Sequence, residues 1–245
     1  MDKQEIVPKG YNDKAHLYYS FSPTPGVKFI ALDCFEISIL GYELDDQHEN
    51  CTKAADLMLQ KHGRVDHDLW DTNGELQGLE QRFQLQNGGI STKQLQWLDS
   101  ELTLSDIQQE RVIVFGHVCL LPQSCDPSCL LWNYDQVIAC FARHPSVVAY
   151  LSGHAHESGN GTDSSGVHYV VFNGVIETPP DSDSFATLSL FHDRLLVDGY
   201  GKEHSTSLPL VDRFTNKSAE LLTNSLVTMK GVRKVSDGPL VLVSV

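Results

Sequence analysis

The hydrophobic positions of this chain are most informative where a short apolar run ends at two histidines. Residues 147–151 are Val, Val, Ala, Tyr and Leu, a run of the length and composition of a buried strand. Ser152 and Gly153 interrupt the run, and His154 and His156 follow at once. Open α/β sheets bind ligands at the carboxyl ends of their strands. The pattern therefore predicts a buried strand that ends in a functional loop.

A second strand of the same form lies upstream. Residues 111–117 read Arg-Val-Ile-Val-Phe-Gly-His, again an apolar run followed by glycine and histidine. Between the two runs, positions 133–143 carry apolar residues with helical spacing. A strand, a helix and a strand with right-handed crossover bring both strand ends to one edge of a parallel sheet. Since imidazole is a common ligand of divalent transition metals, we expect a metal site formed by His117, His154 and His156.

The rest of the pattern predicts further strands, helices and loops. Extended apolar patterns predict strands at 16–21, 27–33, 167–173, 184–191 and 194–200. Helical spacing predicts a helix at 51–62 and another that begins after Ser91, as its N-cap, and ends near Leu102. Polar or glycine-rich composition predicts a surface insertion at 66–89, a loop at 118–129 and a turn at 159–166.

The charge balance bears on partners and compartment. Lys and Arg number 18 against 32 Asp and Glu, which gives a formal net charge of −14 with His neutral. This acidity argues against nucleic acid or an anionic membrane as the main partner, so a phosphate-bearing ligand has to be attracted by a local feature such as a metal ion. No run reaches the length of a transmembrane helix, and residues 1–5 have no leader-like apolar region. We therefore expect a cytoplasmic protein whose six cysteines are reduced.

Several motifs in a fixed order carry a family resemblance. Gly-His at 116–117 and Gly-His-Ala-His at 153–156 occur together with Asn-Gly-Gly and Gln-Trp-Leu between 87 and 98, Leu-Leu-Trp-Asn-Tyr at 130–134, and Gly-Val-Ile-Glu-Thr-Pro-Pro at 174–180. In this order they resemble the manganese-dependent ADP-ribose/CDP-alcohol diphosphatases, which are calcineurin-like metallophosphoesterases. The likeness runs from about His16 to about Leu208 and matches the C-terminal portion of that family. We accordingly assign 1–210 to one domain and 211–245 to a tail of unknown role.

The resemblance implies a fold, a cofactor and a substrate class. The fold would be α/β, a layered α/β/β/α sandwich that here lacks the family's N-terminal strands. The cofactor would be a divalent metal, Mn²⁺, with His117 and His154 on the second ion of a pair and His156 on the first. The substrate would be a small-molecule nucleoside diphosphate conjugate, and a complete protein would be a monomer. The residues expected to contact the nucleoside are Cys129, Leu131, Trp132, Asn133 and Tyr134.

Some of these residues have structural interpretations of equal weight. Asn133 is suited to cap a helix, and Trp132 and Tyr134 to fill a core. Asp33 is either a carboxylate at or behind a metal site or, as favoured here, a cap of the loop after its strand. The acidic stretch 66–68 could be a metal cluster, but its composition favours a solvated loop.

Other candidate groups are weaker. Cys119, Cys125 and Cys129 have spacings that favour free thiols over a zinc site. His168 lies inside a strand and should be a core or edge residue, while the charge of Glu177 could reach the histidine loop.

The resemblance also identifies what this sequence lacks. In the family, five blocks supply the metal ligands, and the blocks Asp-x-His, Gly-Asp and Gly-Asn-His are not found upstream of His16. Three neutral imidazoles can bind one divalent ion but cannot hold a bridged pair. We therefore assign no catalytic residue and expect little or no dinuclear phosphohydrolase activity from this chain. The alternative is a non-catalytic nucleotide-binding remnant or a truncated isoform.

Overall fold

The structure is a computed structural model that describes residues 17–39, 49–65, 75–214 and 241–244. Two of the features considered above, His16 and the acidic stretch 66–68, lie outside the described residues, as does most of the tail.

A six-stranded sheet forms the centre of the fold. Its strands, numbered along the chain, are β1 (Tyr19–Thr24), β2 (Val27–Ala31), β3 (Arg111–Phe115), β4 (Val147–Ser152), β5 (Gly159–Thr162) and β6 (His168–Val171). Their order across the sheet is β1-β2-β3-β4-β6-β5. The four inner strands are parallel, whereas β1 and β5 pair antiparallel at the edges. Continuous apolar runs suit parallel strands covered on both faces, and all residues of β2 and β4 are buried.

Helices cover one face of this sheet. The helices α2 (Thr92–Gln108) and α3 (Tyr134–Arg143) share one core cluster with the sheet residues Val114 and Tyr150. Ser91 caps α2, because its side chain accepts a hydrogen bond from the backbone N–H of Gln94. The predicted β3–α3–β4 unit with parallel strands is thus confirmed. The first helix, α1 (Glu49–His62), packs in a separate cluster.

A four-stranded antiparallel sheet covers the other face. Its strands are β7 (Ser184–Leu190), β8 (Arg194–Gly201), β9 (Thr206–Pro209) and β10 (Val241–Ser244), in the order β10-β7-β8-β9. Leu188 and Leu195 of this sheet share an apolar cluster with Ile113 and Leu151 of the central sheet. The described residues therefore form a mixed α/β structure with three layers. No described helix joins the cluster beneath the small sheet, so the second helical layer of the expected α/β/β/α sandwich is not seen in these ranges.

Two larger differences from the sequence prediction concern α2 and the segment 66–89. The helix α2 continues to Gln108 and not to Leu102, because no glycine or proline stops it before Gln109 adopts a left-handed conformation with φ 53°. The part of the 66–89 segment near its end is not a surface insertion, since Phe83, Leu85 and Asn87 are buried.

The predicted turn at 159–166 begins with the edge strand β5. A Cβ on Gly159 would lie 2.0 Å from the Ser124 carbonyl oxygen, and one on Gly161 would lie 2.6 Å from Leu121. Glycine is required at Gly159, where the contact is with backbone, while at Gly161 the Leu121 side chain would have to move. Both contacts arise because β5 lies against the 118–129 loop, which the composition does not reveal.

The cysteines and the tail also have defined surroundings. All six cysteines are free thiols. Residues 241–244, assigned above to a tail of unknown role, pair with β7. No helix within the described ranges is long and apolar enough to cross a membrane.

Candidate metal centre at the strand ends

The loops that follow β3 and β4 lie side by side. The Gly153 backbone N–H donates to the His117 carbonyl oxygen at 3.1 Å. The ring centroids of His117 and His154 are 5.0 Å apart, with the rings edge to face. Parallel pairing of the two strands in register produces this contact, as the β-α-β argument requires.

The glycine of the first Gly-His pair is required by close packing. A Cβ on Gly116 would lie 2.6 Å from both Cys34 Sγ and the Tyr150 hydroxyl oxygen. Tyr150 is fully buried, and its hydroxyl donates to the Val118 carbonyl at 2.7 Å. Because the tyrosine is fixed in this way, only glycine lets the chain leave β3 and present His117.

We expect Gly116→Ala to lower the free energy of unfolding by about 1–3 kcal/mol, since the added methyl group overpacks a closed site. Urea denaturation followed by circular dichroism measures the change. Gly153→Ala is the matched control, because a Cβ there would meet His117 Nδ1 only at 4.0 Å. Equal stability of the two variants would contradict this explanation of the motif.

Both histidines of the second loop adopt a strained backbone conformation. The φ angles are 68° for His154 and 59° for His156, in the left-handed region that residues other than glycine rarely adopt. Such strain costs on the order of 1–3 kcal/mol per residue and concentrates at functional sites. The backbone strain of this loop is therefore typical of a functional site, and the sequence pattern could not have predicted it.

His154 is held by a buried asparagine. Its Nε2 lies 2.6 Å from Asn87 Oδ1, while Asn87 Nδ2 donates to the carbonyls of Arg82 and Ser128 at 2.7 and 2.6 Å. Since Oδ1 is then the acceptor, Nε2 carries the proton and Nδ1 keeps its lone pair. Burial, together with the charges of His117 and His156, lowers the pKa of His154 to about 4. The ring is therefore a neutral donor at physiological pH.

His156 has a carboxylate on one nitrogen. Its Nδ1 lies 3.1 Å from Glu177 Oε1, and the Gly174 backbone N–H donates to the His156 carbonyl at 3.2 Å. A Cβ on Gly174 would contact the His156 ring at 3.0 Å, so this segment fits closely around the imidazole. A carboxylate on the far nitrogen is the usual arrangement for a metal-binding histidine, and it leaves Nε2 as the ligand atom.

His117 completes the group from the neighbouring strand. His117 is exposed, but partial desolvation and the charge of His156 lower the pKa of its imidazole, which favours the neutral, metal-binding form. The Phe35 ring lies 5.8 Å away, on the loop that follows β2. Glu36 fixes that loop by accepting hydrogen bonds from the Ser91 hydroxyl and the Gln94 side chain at 2.8 and 2.7 Å.

These donors suit a single divalent ion better than a bridged pair. Neutral imidazoles with oriented far nitrogens are proper ligands, but in the described part of the chain no set of three ligand atoms within 4.8 Å includes them. Asp33 is occupied as a loop cap, because its Oδ1 accepts from the Phe35 backbone N–H at 3.1 Å. Assignment of the metal ligands therefore stays a prediction that binding experiments have to test.

The segment predicted to contact the nucleoside is largely internal. Leu131 and Trp132 are buried, and the Trp132 indole N–H donates to the Gln84 carbonyl at 3.3 Å. Asn133 occupies the N-cap position of α3, but its side chain makes no capping bond. It pairs instead with the Ile90 backbone, accepting from N–H at 3.1 Å and donating to the carbonyl at 2.9 Å. Cys129 and Tyr134 are part-exposed. Substrate contact by this segment stays a prediction.

An apolar cavity of about 480 Å³ lies between the two sheets next to these loops. Gly116 and Gly153 line it beside the strand ends, and its walls are mostly aromatic: Phe21, Phe29, Phe115, Phe172 and Phe185.

Sequence reasoning missed the residues that position the site. Asn87 falls in the segment 66–89 that composition predicts as a surface insertion, and the Asn-Gly-Gly motif alone gives it no role at the site. Glu36 had no local signal, since a carboxylate five residues past the end of β2 is typical of a solvated loop. The contact of Glu177 with His156 agrees with the expectation that its charge could reach this loop.

Comparison with known proteins finds relatives that carry one name. No family model matches the chain. It is 44% identical over 186 residues to a manganese-dependent ADP-ribose/CDP-alcohol diphosphatase of Danio rerio, covering 75% of this chain and 56% of that protein. The protein of the same name from Arabidopsis thaliana is 34% identical over 208 residues, covering 84% and 65%.

A solved structure agrees with these relatives. The crystal structure of a dimetal phosphatase from Danio rerio superposes with a TM-score of 0.72 at 41% identity, covering 79% of this chain and 60% of that one. The chain spans about half the length of several of the curated relatives it matches. Over the matched region, this chain is homologous to the manganese-dependent ADP-ribose/CDP-alcohol diphosphatases.

Proposed function

We propose that this chain carries part of a metal-dependent phosphohydrolase site of the ADP-ribose/CDP-alcohol diphosphatase type. The observation that supports it best is the convergence of two Gly-His loops at adjacent parallel strand ends, with His117 and His154 rings 5.0 Å apart. In this proposal His117, His154 and His156 are the metal ligands, and Mn²⁺ is the ion. The substrate is a nucleoside diphosphate conjugate of the kind that the relatives' names give.

The residues of this chain prepare the ligands for that role. Asn87 holds the Nε2 proton of His154, and Glu177 holds the Nδ1 proton of His156, so each ring offers its other nitrogen. A bound divalent ion would polarise a phosphoryl oxygen of the substrate. The buried surroundings keep the His154 ring neutral without metal, so no proton has to leave it when an ion binds.

The donor set also favours a second candidate, a nucleotide-binding protein without turnover. Within the described residues no carboxylate joins the three imidazoles in one tight set of ligand atoms. A single ion can still bind a diphosphate through its oxygens. In-line displacement assisted by two metal ions requires both ions to be held about 3.5–4 Å apart.

ADP-ribose binding that depends on metal tests the proposal. We expect calorimetry to detect ADP-ribose binding with Mn²⁺ present and at least about tenfold weaker binding after chelation, because the diphosphate would bind through the ion. His156→Ala should reproduce the loss. His204→Ala, at an exposed position in the loop before β9, is the control and should bind as wild type. Affinity that is unchanged by chelation would contradict the proposal.

A further inference from the structure

A separate cluster of metal-ligating side chains lies at the other end of the β3–α3–β4 unit. Asp99 belongs to α2, Cys140 to α3, and His144 follows α3 just before β4 begins. One ligand atom from each of the three lies within 4.8 Å of those of the other two. Among the described residues this is the only such set, and the motifs that carry the family resemblance do not include it.

The separations match those of a tetrahedral site. His144 Nε2 lies 3.1 Å from Asp99 Oδ1, and Cys140 Sγ lies 3.8 Å from the same oxygen. With zinc bound at its usual distances from nitrogen, oxygen and sulfur, tetrahedral ligand atoms stand about 3.4–3.6 Å apart. The third separation, between the ligand atoms of Cys140 and His144, lies within 4.8 Å, so modest side-chain shifts would place an ion among these three atoms.

The histidine already has the partner that metal-bound histidines use. His144 Nδ1 lies 2.8 Å from Asp106 Oδ2, and Asp106 Oδ1 accepts the Ser146 backbone N–H at 3.0 Å. A carboxylate on the far nitrogen fixes the ring and raises its basicity as a ligand. His144 is buried, so this orientation is set by packing as well as by the hydrogen bond.

Exchange of an ion for protons balances in charge. Without metal, Asp99 Oδ1 is near three donors, the His144 Nε2–H, the Cys140 S–H and the Arg143 Nη2 at 2.5 Å. Burial acts against a charged His144, but hydrogen bonds to Asp106, Cys140 and Asp99 outweigh it and raise its pKa to about 10. A divalent ion would displace the protons of His144 Nε2 and Cys140 Sγ to solvent. The His144 Nδ1–H would keep its hydrogen bond to Asp106. Arg143 is more than half exposed and can turn outward.

We propose that Asp99, Cys140 and His144 form a second metal site, which binds one thiophilic divalent ion such as Zn²⁺, with water as a further ligand. The thiolate favours zinc or cobalt over manganese, so this site and the strand-end centre differ in preferred ion. Because α2 and α3 supply the ligands, an ion here would cross-link the two helices that cover the central sheet.

Cobalt titration of the full chain under reducing conditions tests the site. Co²⁺ bound by a thiolate gives a charge-transfer absorption in the near ultraviolet. We expect this absorption in wild type and in the control Cys125→Ser, whose sulfur lies in the 118–129 loop, and its loss in Cys140→Ser. No absorption in wild type, or absorption that survives in Cys140→Ser and disappears in Cys125→Ser, would overturn the proposal.

Two further variants separate ligand loss from misfolding. Asp99→Asn removes a carboxylate that is 44% exposed and should leave the fold intact while weakening Co²⁺ at least about tenfold. Asp106→Asn should weaken Co²⁺ by about 10–100-fold, as outer partners of ligating histidines do. His154→Ala should leave the absorption unchanged. Wild-type affinity in Asp99→Asn, with circular dichroism unchanged, would also refute the site.

Discussion

Expressed as it stands and supplied with excess Mn²⁺, the 245-residue chain should hydrolyse ADP-ribose at least about 10²–10⁴-fold more slowly than a complete relative. Phosphoryl transfer depends on positioning and on charge stabilisation by metal ions. The described residues bring imidazoles together but place no carboxylate among them to bridge two ions. Among the described residues, we assign no imidazole that would protonate the leaving oxygen. Release of AMP from ADP-ribose measures the rate.

The Danio rerio diphosphatase, assayed in parallel, is the reference for this rate. Circular dichroism on the purified chain has to show that it is folded before the two are compared. A rate within tenfold of the reference, abolished by His156→Ala, would contradict the prediction. Carboxylates outside the described residues, such as Asp46, Asp66 or Asp68, would then be supplying the bridging ligand.

Replacing Asn87 by alanine should cost about 2–4 kcal/mol of unfolding free energy. Its side chain satisfies three groups at once: the carbonyls of Arg82 and Ser128, and the Nε2–H of His154. Alanine leaves all three without this partner, and the site is fully buried, so water cannot readily replace the amide. Urea unfolding with the linear extrapolation gives the difference.

Asn160→Ala is the control for this effect, because Asn160 is exposed on the edge strand β5. It should change stability by less than about 0.5 kcal/mol. If Asn87→Ala is as stable as Asn160→Ala, then the amide does not anchor the histidine loop, and the tautomer assigned to His154 loses its support.

The central unit of the fold was predictable because its signals are local. The runs that became β3 and β4 are apolar and end in Gly-His, and α3 between them has helical spacing. A helical crossover between neighbouring strands makes them parallel, so both carboxyl ends share one edge, with no information from distant residues. The proximity of the His117 and His154 loops follows from these facts, whereas the ring orientations also depend on the left-handed backbone of His154.

What could not be predicted depends on contacts between distant parts of the chain. Asn87 and His154 are 67 positions apart, and neither pattern indicates the other. The glycines of β5 suggested a turn until their packing against Ser124 and Leu121 was seen. Glu36 reads as a loop residue, yet it ties the loop after β2 to the start of α2 through Ser91. Residue pairs of this kind form only when the layers of the fold pack together, so they produce no periodic pattern in the sequence.

The Asp99–Cys140–His144 cluster shows the same limit from another side. Asp99 lies on α2, 41 positions before Cys140 of α3, and His144 follows α3 four positions after Cys140, so no single local motif marks the three. Packing of α2 against α3 brings them together.

The central claim is that His117, His154 and His156 bind a manganese ion. Mn²⁺ titration followed by the paramagnetic resonance of the free ion tests it most directly, because the thiolate in the Asp99–Cys140–His144 cluster makes that cluster a poor manganese site. Wild type, His154→Ala and the control His192→Ala, at an exposed turn between β7 and β8, should be compared after circular dichroism confirms their fold. The account predicts that wild type and His192→Ala bind one ion with the same affinity and that His154→Ala loses at least about tenfold. Equal binding by all three proteins would contradict it.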